Sequence, residues 1–190
     1  MFTTIIFDFF DVIRVDPYKK WLGDHGYVRD GFWYDIAAQY DRGLITRETF
    51  IEELARESGQ DSKDVDLSFK NASQFDHDVI AIIRQLNSSH QTALLSNSGG
   101  PGLRRLLDEE ALDSIFHEII ISGEVGFIKP EPEIFQIALE RLDAESGKTI
   151  FIDDNQHNID GAEKVGIKGI LFTGVLKLKM DLEEFGVSVA

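Results

Sequence analysis

Cysteine is absent from the 190-residue sequence, and basic residues are few. Without thiolates the chain has neither a disulfide framework nor a cysteine-ligated metal site. Lysine and arginine together number 19 against 34 acidic residues, which gives a formal net charge of -15 at pH 7. Because such a surface repels polyanions and the sequence contains no run of basic residues, we expect no nucleic-acid partner.

Long hydrophobic runs are also missing. No segment approaches the ~18 uninterrupted apolar residues of a membrane span, so we expect no membrane association and a cytoplasmic location. Hydrophobic residues still make up 43% of the sequence, which is enough to build a sizeable core. The composition leaves monomer and homodimer open as oligomeric states.

What the sequence does contain is a series of short apolar runs of strand length. Near-continuous hydrophobicity is typical of strands covered on both faces, and the segments between the runs show helical periodicity. This alternation predicts an α/β fold with a doubly wound, Rossmann-like parallel sheet, whose strands end along one edge. The runs lie at residues 3–7, 92–95, 117–121, 149–152 and 169–172.

The pattern changes between residues 16 and 87, where helical stripes occur without an apolar strand run. Trp33, Ile36, Ala37 and Tyr40 form one such stripe. We therefore predict an α/β core domain of residues 1–15 and 88–190, interrupted by a helical unit of residues 16–87.

Acidic residues follow two of the predicted strands, at the edge where open α/β sheets bind ligands. Asp8 comes directly after the first run, and Asp153 and Asp154 follow the fourth. Three protein ligands would be enough to bind Mg²⁺ here: the carboxylates of Asp8 and Asp154 and the backbone carbonyl of Phe10. Asp153 would support the metal from the same loop as Asp154. An aspartate so placed can attack phosphorus and form an aspartyl-phosphate. Taken singly, Asp8 is better explained as a polar strand terminus, and the acidic pair is equally explained as a solvated turn.

Two further segments are predicted to hold a phosphoryl group. Lys129 precedes Pro130 after the third run, where its ammonium would hold the nucleophile and the transferred group together, although a helix boundary also explains this dipeptide. Ser96 and Asn97 follow the second run, where a hydroxyl and backbone N–H groups can receive phosphate oxygens. We predict Asp8 and Lys129 as catalytic residues, and Ser96, Asn97 and Lys129 as substrate-binding residues.

The order and spacing of these segments resemble the haloacid dehalogenase superfamily of aspartate-nucleophile phosphotransferases and hydrolases, over nearly the whole chain. The matching motifs are Asp8-Phe9-Phe10, Ser96, Lys129-Pro130 and Asp153-Asp154. The resemblance implies a helical cap of the C1 type, as in subfamily I, inserted after the first motif. Residues 153–162 and 40–46 are similar to a branch that includes glucose-1-phosphate phosphatases and the phosphatase domain of soluble epoxide hydrolases. The implied activity is Mg²⁺-dependent hydrolysis of small-molecule phosphate esters, sugar phosphates among them.

Phe10 departs from the family pattern. Most family phosphatases have a second aspartate there, which protonates the leaving group and then activates water. Loss of a general acid–base typically lowers the rate by about 100- to 10,000-fold. A catalytically silent binding protein and a metal-independent dehalogenase are therefore alternatives, although the complete acidic pair argues against the dehalogenase. Strand alternation directs Asp11 away from the face of Asp8, so we do not expect it to replace the missing aspartate.

Three other polar residues are candidates for lesser roles. Asn158 takes the place of an acidic residue in the family pattern, and we expect it to orient Lys129 or a metal-bound water. Arg14 and Arg42 are candidate contacts for a substrate anion.

Overall fold

The computed structural model describes residues 1–72 and 74–189. Its strands are β1 (Thr4–Phe7), β2 (Gln91–Ser96), β3 (Glu118–Ile121), β4 (Thr149–Asp153) and β5 (Lys168–Leu171). They form a five-stranded sheet in the order β3-β2-β1-β4-β5, in which every neighbouring pair is parallel. The predicted α/β fold is thereby confirmed, and each of the predicted apolar runs forms a strand.

Helices cover both faces of the sheet. Ile5 and Phe7 of β1 belong to one buried hydrophobic cluster and Ile6 belongs to another, because successive strand residues point to opposite faces. The first cluster includes buried side chains of the helices at residues 77–86, 101–109 and 175–184, and the second includes those of the helices at residues 132–142 and 156–164. The helices are α1 (Pro17–Asp24), α2 (Gly31–Asp41), α3 (Arg47–Ser58), α4 (Ser62–Asn71), α5 (His77–Leu86), α6 (Pro101–Glu109), α7 (Ser122–Val125), α8 (Pro132–Leu142), α9 (Gln156–Lys164) and α10 (Val175–Glu184).

The inserted segment has a hydrophobic cluster of its own, built by α1 to α4 and rich in aromatic rings. Trp33 and Tyr40 pack against this cluster, whereas Tyr34 is 52% exposed. We call α1 to α4 the cap. The bounds of 16–87 for the insert and 88–190 for the second core segment stay predictions, and Ser73 and Ala190 lie outside the described residues. Packing groups α5 with the sheet rather than with the cap.

Side chains fix the start of the helix that enters the cap and of the helix that leaves it. Asp16 caps α1 by accepting hydrogen bonds from the backbone N–H groups of Tyr18 and Lys19, and Asp76 caps α5 in the same way. Within the described ranges, no helix combines the length and apolar character needed to cross a membrane.

Candidate active site

The ends of β1, β2 and β4 bring the predicted site residues together. The parallel register pairs Phe7 with Ile152, so the next residues, Asp8 and Asp153, emerge side by side. The backbone N–H of Asp8 donates to the carbonyl of Ile152 over 2.8 Å. Ser96 is the last residue of β2, on the other side of β1. Sheet geometry alone therefore gathers these residues at one edge.

A buried ion-pair cluster lies at the centre of the site. Lys129 Nζ is 2.6 Å from Asp8 Oδ1 and 2.7 Å from Asp153 Oδ2, and none of the three side chains is more than 8% exposed. The side chain of Asn97 holds the backbone of Lys129, accepting from its N–H at 2.8 Å and donating to its carbonyl at 3.1 Å. Asn97 thus positions the lysine in this structure.

Burial and neighbouring charges set the protonation of this cluster. Burial raises the pKa of Asp8 well above its usual value, and the charge of Asp153 raises it further, while Lys129 opposes both effects. Burial lowers the pKa of Lys129, but the charges of Asp153 and Asp8 outweigh that effect, so its pKa is raised and the ammonium persists at neutral pH.

The carboxylates of Asp8, Asp153 and Asp154 form a donor set suited to a hard cation. Each offers one oxygen, and these oxygens lie within 4.8 Å of one another. Carboxylate oxygens are the ligands that Mg²⁺ prefers in proteins. Asp153 Oδ1 also accepts from the Asn155 N–H at 2.8 Å, and both of its oxygens accept from Asn158 Nδ2. Asn158 therefore orients Asp153 directly and does not bind Lys129.

Ser96 fits the predicted contact with a phosphate oxygen. Its side-chain oxygen is buried and has no hydrogen-bond partner within the described ranges. Leaving a buried hydroxyl unpaired costs roughly 1–3 kcal/mol, so such a group at a ligand-binding edge is suited to a polar ligand atom.

Lys19, in the first turn of α1, is a site residue that sequence reasoning missed. Its Nζ is 2.7 Å from Asp11 Oδ2 and 2.9 Å from Asp154 Oδ2. Burial lowers the pKa of Lys19, but the hydrogen bonds to Asp11 and Asp154 outweigh it and raise the pKa. No motif could have identified Lys19, because its contact depends on how the cap lies over the core.

Asp11 and Phe10 both lie beyond the end of β1. Strand alternation does not set the direction of Asp11, contrary to expectation, because β1 ends at Phe7 and Asp11 adopts a left-handed turn with φ 56°. Its carboxylate reaches the rim of the site, where Oδ1 accepts from the Asp16 N–H and Oδ2 pairs with Lys19. Phe10 is half-buried and packs edge-to-face on Phe9 at 5.1 Å, so it supplies no titratable group.

The turn between α2 and α3 docks tightly on the core. Arg42 pairs with Glu131 and donates to the carbonyl of Gly126 at 3.3 Å. A Cβ on Gly43, whose φ is +72°, would lie 2.6 Å from the carbonyl oxygen of Gly123. Arg42 therefore fastens the cap turn to the core, where the sequence suggested a substrate contact.

The other predicted anion contact, Arg14, lies over the ring of Phe75 at 5.7 Å. Both residues border a cavity of about 440 Å³ that also includes Asp11 and Phe172. This cavity lies beside the two segments that connect the core to the cap.

A family model described as haloacid dehalogenase-like hydrolase matches residues 29–172. This range contains Ser96, Lys129, Asp153 and Asp154, and it begins after Asp8.

Among curated relatives, the drimenol cyclase drtB of Aspergillus calidoustus is 27% identical over 145 residues, covering 73% of this chain and 28% of that protein. The sesquiterpene phosphatase astK of Aspergillus oryzae is 24% identical over 150 residues, covering 77% and 76%. The pyrophosphatase PpaX of Bacillus mycoides is 36% identical over 74 residues, covering 39% and 34%. The chain thus spans about a third or less of the cyclase and of the pyrophosphatase.

Solved structures share the fold. A HAD-family enzyme of Bacteroides thetaiotaomicron, solved in complex with magnesium and inorganic phosphate, superposes with a TM-score of 0.72 at 22% identity. The superposition covers 90% of this chain and 94% of that enzyme.

Proposed function

The chain belongs to the haloacid dehalogenase-like hydrolase family, and on this basis we propose that it is a Mg²⁺-dependent phosphatase of small-molecule phosphate monoesters. The observation that carries the proposal is the buried cluster of Lys129 with Asp8 and Asp153, at the same sheet edge as Ser96, whose buried hydroxyl has no hydrogen-bond partner in the described part of the chain. A nucleophile, a fixed cation and a phosphate-oxygen partner are the groups that transfer through an aspartyl-phosphate needs.

Each residue has a defined role in this proposal. Asp8 attacks phosphorus, while Lys129 and Ser96 hold the transferred oxygens and Asn97 keeps Lys129 in place. Asp8, Asp154 and the carbonyl of Phe10 would hold Mg²⁺, with support from Asp153. The metal, when bound, supplies positive charge that offsets the charge of the phosphoryl oxygens.

The relatives suggest which substrates to try. One is named a sesquiterpene phosphatase and another a pyrophosphatase, and a structural neighbour was solved with magnesium and phosphate. We place the chain in subfamily I with a C1 cap, near the glucose-1-phosphate phosphatase and epoxide hydrolase branch, with sugar phosphates as a third substrate class. We further propose a cytoplasmic monomer or homodimer, with no nucleic-acid or membrane partner.

The aromatic side chain at residue 10 favours one alternative, a catalytically silent binding protein. A protein that binds Mg²⁺ and a phosphate ester without turnover would need the same cluster and no acid–base at residue 10. The dehalogenase alternative is weaker, because the metal-binding carboxylates are complete.

Phosphate release from p-nitrophenyl phosphate tests the proposal. We expect turnover that requires Mg²⁺, stops with a chelator and is lost in Asp8→Asn, because the amide cannot attack phosphorus. Asp35→Asn, an exposed site on α2, is the matched control and should retain full activity. Undiminished turnover in Asp8→Asn would exclude Asp8 as nucleophile. If the wild-type protein shows no turnover while Mg²⁺ and phosphate raise its thermal stability, it is the silent binding protein. An active enzyme would then be tested on sugar phosphates, a sesquiterpenyl monophosphate and inorganic pyrophosphate.

A further inference from the structure

Hydrolysis of an unactivated phosphate ester needs a proton for the leaving oxygen, and Phe10 has none to give. A replacement would have to lie across the cleft from Asp8, on a surface that remains close when the cap is docked. Asp41, the last residue of α2, is the candidate, because its backbone is bonded to the core at Ser122 and its carboxyl group interacts with the charge of Lys129 at the centre of the site.

The backbone of Asp41 is tied to the segment that follows Ser96. Its carbonyl accepts a hydrogen bond from Ser122 Oγ, and Ser122 Oγ in turn accepts one from the Ser98 N–H at 2.8 Å. Ser98 is two residues beyond the unpaired Ser96 hydroxyl. Asp41 is thus fixed against the part of the core that is expected to receive phosphate.

The carboxylate of Asp41 makes a second set of contacts, through Arg29. Its Oδ2 is 3.4 Å from Arg29 Nη2, and Arg29 Nη1 is 3.9 Å from Asp16 Oδ2. The Asp16 N–H in turn donates to Asp11 Oδ1 at 2.8 Å, and Asp11 shares the ammonium of Lys19 with Asp154. Polar contacts therefore connect Asp41 to the proposed phosphate-binding segment on one side and to the proposed metal loop on the other.

Asp41 is also in an environment that suits a proton donor. Its side chain is only 12% exposed. Burial raises the pKa of Asp41 to about 7, with Asp16 adding to the shift and Arg29 and Lys129 opposing it. Tyr18 and Tyr40 also interact electrostatically with Asp41. A general acid–base works best when its two protonation states are both populated at the working pH.

We infer that Asp41 is the general acid–base of the phosphatase reaction and takes the part of the aspartate that is missing at residue 10. The inference rests on the proposed function. As Asp8 bonds to phosphorus, the bond from phosphorus to the leaving oxygen breaks, and that oxygen takes the proton of Asp41. Water then attacks phosphorus and gives its proton to the Asp41 carboxylate while the Asp8–phosphorus bond breaks. Phosphate leaves, and Asp8 and Asp41 return to their initial states.

The first test compares leaving groups, using Asp41→Asn with Asp35→Asn as the control on the same helix. We expect kcat/KM for an alkyl phosphate to fall about 100- to 10,000-fold in Asp41→Asn, because that leaving oxygen must be protonated. For p-nitrophenyl phosphate, whose leaving group needs no proton, the fall should stay below about 10-fold. Equal losses on both substrates, or an unchanged alkyl rate, would overturn the inference and leave the proposed function standing. Absence of aryl phosphate turnover in the wild-type protein would refute both.

The second test uses pH and a variant outside the reacting groups. An acid must be protonated to act, so kcat/KM for the alkyl phosphate should fall as pH rises through about 7, the value to which burial raises the pKa of Asp41. Arg29 lowers that pKa, so in Arg29→Gln the fall in kcat/KM should occur at higher pH. In Asp41→Asn this pH-dependent fall should be absent. A fall that occurs at the same pH in Arg29→Gln and in the wild-type protein contradicts the assignment. Circular dichroism and thermal unfolding establish that each variant is folded.

Discussion

Replacing Gly43 by alanine tests how closely the cap turn approaches the core. Gly43 and Gly26 both have φ +72°, but only Gly43 is crowded. A Cβ at Gly43 would lie 2.6 Å from the carbonyl oxygen of Gly123, whereas a Cβ at Gly26 would meet nothing within 4 Å. Gly26→Ala is therefore a control with the same backbone conformation and no steric conflict.

The difference between the two variants follows from these contacts. The left-handed conformation costs an L-residue about 1–2 kcal/mol, and both variants bear that cost. Crowding at a packed position adds about 1–3 kcal/mol, which applies only to Gly43→Ala. At about 2–4 °C per kcal/mol for a chain of this size, Gly43→Ala should melt roughly 2–12 °C below Gly26→Ala.

Urea unfolding and amide hydrogen exchange would measure the effect. The amides of Ser98 and Gly123 are sensitive reporters, because they donate to Ser122 Oγ and to the Ser98 carbonyl next to the cap turn. We expect both to exchange faster in Gly43→Ala than in Gly26→Ala. Equal free energies of unfolding and equal exchange in the two variants would show that the cap turn does not press on the core.

Two further predictions concern the centre of the site. Lys129→Met leaves the buried Asp8 and Asp153 without their cation, so the free energy of unfolding in urea should fall by about 3–5 kcal/mol. The control Lys148→Met removes an exposed ion pair and should lower that free energy by less than about 0.5 kcal/mol. A loss below about 1 kcal/mol in Lys129→Met would contradict the buried cluster. Phe10→Asp, added to Asp41→Asn, should restore alkyl phosphate kcat/KM by at least about 10-fold because it returns a carboxylate to the expected acid–base position, and no recovery would mean that residue 10 does not face the leaving group.

Much of the core was predictable, because its signals are local. Continuous apolar runs predicted every strand of the described sheet, and a parallel sheet necessarily collects its strand ends at one edge. Asp8, Ser96 and Asp153 follow from that rule alone. Lys129 lies in a loop, and its position depended on the resemblance of its motif to a known family.

The cap residues at the site were not predictable in the same way. Lys19 contacts Asp154, and Asp41 contacts Ser122, only because α1 and the end of α2 pack on the core, and no spacing in the sequence encodes these contacts. The pairing of Arg42 with Glu131 was unpredictable for the same reason, since the two residues are 89 apart in the sequence. Asp11 was misjudged because the end of β1 and the left-handed turn after it were not apparent from the apolar run.

An acid carried by the cap ties proton transfer to cap docking. An aspartate at residue 10 would stay beside Asp8 whether the cap was open or closed, whereas Asp41 is placed by Ser122 and by the close approach of Gly43 to Gly123. Only the docked cap then has a proton donor in place, and docking also excludes bulk water from the cleft. Gly43, two residues after Asp41, therefore contributes to the placement of the proton donor. Gly43→Ala should reduce kcat/KM for the alkyl phosphate more than for the aryl phosphate, as Asp41→Asn does, but by a smaller factor. Equal losses of kcat/KM on the two substrates would show that cap docking does not control proton transfer.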